Sequence, residues 1–169
     1  KRINQGIRMY RIKWIVCVAV ILGLFSSCGI SKSLKDRPDL SNYNSQIPEI
    51  TKTSDTSYVY SNNSLFKNKQ GLWELYVSGV PLQRGLITGA LTKELFQQQE
   101  AIFLSKVEEL VPSKTKRYFL RKFLAWYNRK MYKNIPEEIK AEIWGLSRYA
   151  SPNFNDIADP YSRVLYLHG

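Results

Sequence analysis

The chain has 169 residues, 44% of them apolar, which suits one domain and is short for two. Its formal net charge is +11, and its two cysteines, Cys17 and Cys28, leave no thiol between Gly29 and Gly169. A disulfide framework, a cysteine metal site and a cysteine nucleophile are therefore excluded from residues 29–169.

The charge is uneven. Five of the 25 basic residues and none of the 14 acidic ones precede Cys28, so the remainder carries 20 basic against 14 acidic side chains, a net of +6. Arg8, Arg11 and Lys13 lead into the apolar run Trp14–Phe25, which Ser26, Ser27 and Cys28 follow. This is the layout of an export signal. The small residues suit a peptidase pocket, and the Cys28 thiol at the cut offers an atom for lipid attachment. The stretch resembles a bacterial lipoprotein lipobox, with Phe25 where leucine is more usual. The apolar run is shorter than the ~20 residues of a stable span. The expectation is a signal peptide over 1–27, lipid attachment at Cys28 and a domain held at the bacterial cell envelope. An uncleaved membrane anchor and a buried core helix are the alternatives. An exported location argues against a nucleic-acid partner.

Residues 28–57 are polar, with Pro38 and Pro48 and no apolar periodicity, and read as a flexible tether. A domain over 58–169 follows. Tyr58-Val59-Tyr60, Leu65-Phe66-Lys67 and Leu72–Ser78 read as strands of a small meander, with turns at 61–64 and 68–71. In the last run Trp73, Leu75 and Val77 share the face expected to be buried.

Beyond Gly79-Val80-Pro81 the pattern turns helical, with glycine at 85 and 89 where each costs about 1 kcal/mol relative to alanine. Leu91, Leu95 and Ile102 form one line, and Phe96, Phe103, Val107 and Leu110 another, until Val111-Pro112 stops the helix. A second helix is predicted from Lys114 to Tyr132. Its stripe of Phe119, Leu120, Phe123, Leu124, Tyr127 and Met131 is expected to face the core. Residues 114–133 hold eight basic side chains and no acidic one, so contact with anionic lipid is the rival reading of this helix.

Pro136-Glu137-Glu138 opens a third helix, with Ile139, Ile143, Leu146 and Ala150 as its buried stripe. Glu137 and Glu138 diverge by about 100° and do not form a catalytic acid pair. Ser151-Pro152-Asn153 breaks the helix, and a last one is predicted over 155–167. His168 has no partner at metal spacing and is assigned no role; no metal site and no cofactor are expected. The serines lack a G-x-S-x-G context, which argues against a serine esterase.

Gly79, Pro81, Arg84, Gly85 and Gly89 lie as G-x-P-x-x-R-G-x-x-x-G between a strand and a long helix. The run resembles the opening of the penicillin-acyltransferase-like proteins, autoproteolytic cysteine acyltransferases and hydrolases of the N-terminal-nucleophile superfamily. Pro136-Glu137-Glu138 with Glu142–Leu146 is similar to that family's helix before the nucleophile. The resemblance covers roughly 70–169. It implies an α+β fold, the N-terminal part of a four-layer αββα hydrolase, of which this chain supplies a mostly helical portion and a small β-meander. It implies a precursor that cuts itself before a cysteine and then attacks a linear amide or thioester. The nucleophile is expected beyond this chain, on a β-chain of the same precursor that would be this segment's partner, with a small acyl molecule as substrate. The chain is expected to be a fragment, with Met9 as the candidate start; the alternative is Gly169 as the natural end of a processed α-chain.

On physical grounds, Gly79 frees the exit from the strand and Pro81 fixes the turn. Gly85 and Gly89 share a face that would let the helix lie close on another backbone. Arg84 opposes the helix dipole, which calls for a carboxylate or carbonyls as its acceptor. The rival function is a non-enzymatic, membrane-tethered binding or scaffold domain.

Overall fold

The computed structural model describes residues 37–155 and 157–168. The expected signal peptide 1–27, Cys28 and the start of the expected tether lie outside the described residues, as does the side chain of His168.

Four antiparallel strands form a meander: β1 (Thr51–Ser54), β2 (Ser57–Tyr60), β3 (Asn63–Lys67) and β4 (Trp73–Tyr76), in that order across the sheet. The β2–β3 turn is tighter than predicted. Tyr60 pairs with Asn63 and Val59 with Ser64, so Ser61 and Asn62 alone make the turn, Ser61 at φ 50°. Asn63 is buried, and its amide explains the change. Nδ2 donates to the Tyr60 carbonyl at 3.2 Å, and Oδ1 accepts from the Ser78 backbone N–H at 2.7 Å. One side chain thus joins the hairpin to the end of the third predicted strand. At the next turn Asn68 Oδ1 accepts from the N–H groups of Gln70 and Leu72, and Gly71 takes φ 83°.

The inner face of the sheet carries Tyr58, Tyr60, Leu65 and Trp73, with Val77 just beyond β4. Leu75 lies opposite Leu65 in register yet is 43% exposed, because β4 is the last strand of the sheet among the described residues.

The inner face packs on α1 (Pro81–Leu110) through Ile87, Leu91 and Leu95. This helix starts at Pro81 itself, within the segment read as a turn, since a proline at the first helical position gives up no needed N–H. Its first half is sandwiched between the sheet and α3 (Glu137–Ser147). Its second half leaves one side of the sandwich, and Ile102, Phe103 and Leu110 on the predicted lines are exposed.

The helix α2 (Lys114–Tyr127) is capped by the Ser113 hydroxyl, which accepts from the Lys116 N–H. It gives way to a 3-10 helix over Asn128–Asn134, short of the predicted continuous helix. Most of its expected core stripe is not buried: Phe119, Phe123, Leu124 and Tyr127 are exposed and Ala125 is the helix's one buried residue, while Leu120 is half-buried and Met131, past the helix end, packs against the cluster of Ile143, Tyr161, Val164 and Leu165. Arginines take the inner side instead. Arg117 donates to the Val111 and Pro112 carbonyls and pairs with Glu108, and Arg121 donates to the Ile157 carbonyl at 3.4 Å.

In α3, Glu137 and Glu138 occupy the first turn as predicted and Ile143 is buried, but Ile139 is exposed. After a 3-10 turn at Pro152–Phe154, α4 (Pro160–His168) begins later than predicted, because Asp159 caps it by accepting from the Ser162 N–H and hydroxyl.

The described part of the stretch expected as a tether, 37–57, packs on the domain. Pro38 and Pro48 are buried, Leu40 and Tyr43 rest against Leu82, Leu86 and Ala141, and Ile50 joins the sheet cluster. Arg37 pairs with Asp159 at 3.1 Å and lies over the rings of Trp144 and Tyr161. A few spaced anchors suffice for this, and a polar average conceals them. Among the described residues no helix is long and apolar enough to cross a membrane.

Candidate functional site

The glycine motif lies at the crossing of α1 and α3. A β-carbon added at Gly85 would stand 1.9 Å from the Glu142 carbonyl oxygen, and one at Gly145 would stand 2.6 Å from both Leu82 O and Leu86 N. The two helices therefore meet backbone to backbone, each supplying a glycine at the contact. Gly89 meets the Tyr149 ring, where an added β-carbon would be 2.3 Å from Cδ2. Gly79 has φ 134°, a conformation open to glycine that lets the chain leave the sheet and enter α1.

Arg84 closes the crossing. Its Nε and Nη2 donate to Glu142 Oε2 at 3.1 and 2.6 Å, and its Nη1 donates to the Gly79 carbonyl at 3.1 Å. The acceptors demanded by an arginine in the first turn are thus a carboxylate and a carbonyl. The hydrogen bond to Glu142 raises the guanidinium further above its ordinary value, so Arg84 is a permanent cation. Of the sequence-predicted residues, the structure brings together Gly79, Pro81, Arg84, Gly85 and Gly89. It adds Glu142 and Gly145 from the second resembling segment. Cys28 lies outside the described residues. An open groove of about 310 Å³ runs beside the crossing, lined by Gly85, Thr88, Ile139, Glu142, Ile143 and Leu146.

A second polar centre was not anticipated from the sequence. Glu100 of α1 and Arg163 of α4 are 1% and 5% exposed and pair at 2.8 Å. Glu100 Oε2 accepts from the Ser151 N–H, while Arg163 donates to the Ser151 and Ala158 carbonyls and to Asn155 Oδ1. Together these contacts tie the loop after α3 to α1 and α4. The available signal was Glu100 itself, four residues after Phe96 and four before Leu104, an acid inside an apolar helical line.

Beside this pair lies the larger cavity, about 350 Å³, walled mainly by apolar side chains of α1, α2 and α4 such as Phe103, Leu120, Leu124 and Leu167. Arg117, Arg121 and Arg163 are its cationic members, and Glu100 is its acid. Tyr166 also lines it, and burial raises its phenol pKa, as it does for Tyr149 and Tyr161 elsewhere in the core. This is an apolar chamber with a few convergent charges, the usual make-up of a small-molecule pocket. Among the described residues no group of His, Cys, Asp and Glu side chains could hold a metal ion.

Comparison of the chain with protein-family profiles, with curated proteins and with solved structures found no match.

Proposed function

We propose that this chain is the N-terminal segment of an exported, lipid-anchored, self-processing acyltransferase or amide hydrolase, resembling the penicillin-acyltransferase-like proteins. One observation carries the reading. The two segments that prompted the resemblance, Gly79–Gly89 and Glu142–Gly145, interlock through Gly85, Gly145 and the Arg84–Glu142 pair. The glycines and the arginine thus serve one construction. The strand β4, last in the sheet among the described residues and with exposed Leu72, Leu75 and Tyr76 in and beside it, supports the reading further, since it offers an apolar edge on which more strands of a layered hydrolase could add.

In the proposed precursor the catalytic cysteine lies on the partner β-chain. Its own α-amine, with an ordinary pKa of ~8, takes the thiol proton. The thiolate attacks the carbonyl of a linear amide or thioester, the C–N or C–S bond breaks, the amine or thiol departs with the proton held on the α-ammonium, and water or another amine then takes the acyl group from the cysteine. Backbone N–H groups hold the oxyanion. The role of this segment is to hold the first strand and helix in register against that site. Lipid attachment at Cys28 would keep the enzyme at the cell envelope.

The test is the intact mass of the protein made from the whole reading frame that carries this chain. Two chains parted just before a cysteine are expected, and replacing that cysteine by alanine should leave one chain. A single uncut chain with no thiol after Cys28 overturns the proposal. The rival reading, a tethered binding domain, is favoured by the apolar cavity, and such a protein would remain uncut and take up an apolar ligand there.

A further inference from the structure

The aromatic face of α2 is the largest feature that the proposed function leaves unused. Phe119, Phe123 and Tyr127 recur at four-residue spacing and so form one line of about 12 Å along the helix. They are 53%, 46% and 69% exposed, and Tyr118 beside them is 50% exposed. The rings support one another: Phe123 stacks on Tyr127 at 6.3 Å and lies 5.9 Å from Trp126, and Tyr118 meets Phe119 edge-on. Water gains nothing from so ordered an aromatic surface, and the domain core does not use it.

Charge indicates what covers it. Residues 114–133 contain no acid. Lys114, Lys116 and Lys133 are exposed along this stretch, and Lys122 is half-buried with its ammonium over the Tyr118 ring. Of the acids on neighbouring elements, Glu108 is taken by Arg117, Glu109 by Lys106 and Asp159 by Arg37. Among the described residues, no carboxylate pairs with the Lys114, Lys116 or Lys133 ammonium, which leaves them open to an outside partner. A purely apolar partner surface would strand them. A headgroup layer accepts both, rings at the boundary with the acyl chains and ammoniums among the phosphates.

We infer that α2 is an interfacial helix that lays the Phe119–Phe123–Tyr127 line on a bilayer surface carrying anionic headgroups. The inference rests on the part of the proposed function that places the domain at a membrane, and it adds the orientation. With one attachment at the N-terminus and α2 flat on the lipid, the sheet and the α1–α3 crossing are held at a defined height and angle.

The test uses the full chain and vesicles of phosphatidylcholine, alone or mixed with phosphatidylglycerol, made with ordinary or brominated acyl chains. Bromine quenches a tryptophan only on close approach, and the difference between the native chain and Trp126→Phe isolates Trp126. In anionic vesicles the brominated lipid should at least halve the Trp126 emission. Phe119→Ser/Phe123→Ser and Lys116→Glu/Lys122→Glu should each abolish the quenching with an unchanged circular dichroism spectrum, since these side chains lie outside the core.

Four results overturn the inference. Equal quenching in pure phosphatidylcholine removes the anionic headgroup from it. A chain recovered with the vesicles whose Trp126 is not quenched removes the docking and leaves lipid anchoring standing. A chain that stays in solution removes both. Self-association of the native chain that Phe119→Ser/Phe123→Ser abolishes, with Trp126 unquenched, assigns the face to a second copy.

Discussion

Replacing Gly85 by alanine sets two opposite effects against each other in one experiment. In an isolated helix the change would stabilise by about 1 kcal/mol, because glycine is the more flexible in the unfolded chain. Here the new β-carbon would stand 1.9 Å from the Glu142 carbonyl oxygen and 2.8 Å from its carbon. Carbon and oxygen ordinarily approach to about 3.3 Å, so α1 and α3 must part by more than an ångström at the crossing. The obstacle is helical backbone and cannot swing aside. Overpacking of a closed contact costs about 1–3 kcal/mol, and separation also loosens Leu82, Leu86 and Ala141 beside it. The net expectation is a loss of about 2 kcal/mol. With a urea slope of about 2 kcal/mol per molar, the unfolding midpoint followed by circular dichroism should fall by about 1 M. Gly89→Ala is the internal comparison: it meets the Tyr149 ring, which can move, so its loss should be smaller and should shrink further in a Tyr149→Ala background. A Gly85→Ala protein with a midpoint at or above the native one would refute the backbone contact and the role assigned to the motif.

The other predictions concern the buried polar groups. Glu100→Gln leaves the Arg163 guanidinium buried without its counter-charge and should cost about 3–5 kcal/mol, seen as a sharply lowered thermal midpoint. Glu100→Leu with Arg163→Met should recover much of that loss, and a double variant no better than the single one would argue against the pairing. The Tyr149 hydroxyl is buried with no hydrogen-bond partner among the described residues, so Tyr149→Phe should leave stability unchanged or raise it by up to about 1 kcal/mol, and a clear loss in urea titration would contradict this. Tyr149, Tyr161 and Tyr166 have phenol pKa values raised in the folded state, chiefly by burial. The folded chain therefore holds these protons more tightly than the unfolded chain, whose tyrosines titrate near ~10. Their contribution is whole below that pH and is lost as pH rises above it. Thermal midpoints should fall steadily above about pH 10, and a flat alkaline profile would count against three buried phenols.

The parts of this fold legible in the sequence are those set by local chemistry. Val111-Pro112 ends the long helix in sequence and structure alike, because proline acts through its own ring and missing N–H. The paired acids after Pro136 open α3 for an equally local reason, and the strand runs 58–60 and 65–67 pair as read. Arg84 was legible as an arginine in want of an acceptor, although which carboxylate answers it was not. The polar strand β1, the anchors Pro38 and Leu40 and the Glu100–Arg163 pair were not legible. Each depends on a partner far along the chain, and no local pattern carries that distance.

The stripe on α2 shows where the boundary lies. Helical spacing determined that Phe119, Phe123 and Tyr127 share a line, since that follows from the turn of the helix alone. Which side of the helix meets the rest of the protein is a property of its neighbours. Arg117 finds the carbonyls of Val111 and Pro112 and the carboxylate of Glu108, and Arg121 finds the Ile157 carbonyl. Those contacts turn the arginines inward and the aromatic rings outward. Likewise the sequence placed Gly85 and Gly145 without relating them, and the packing of α1 on α3 made them two sides of one contact. Periodicity and backbone freedom are properties of a residue and its near neighbours, so the sequence alone determined them. The facing of a helix and the partner of a charge are settled by competition among distant contacts, and only the tertiary structure decided those.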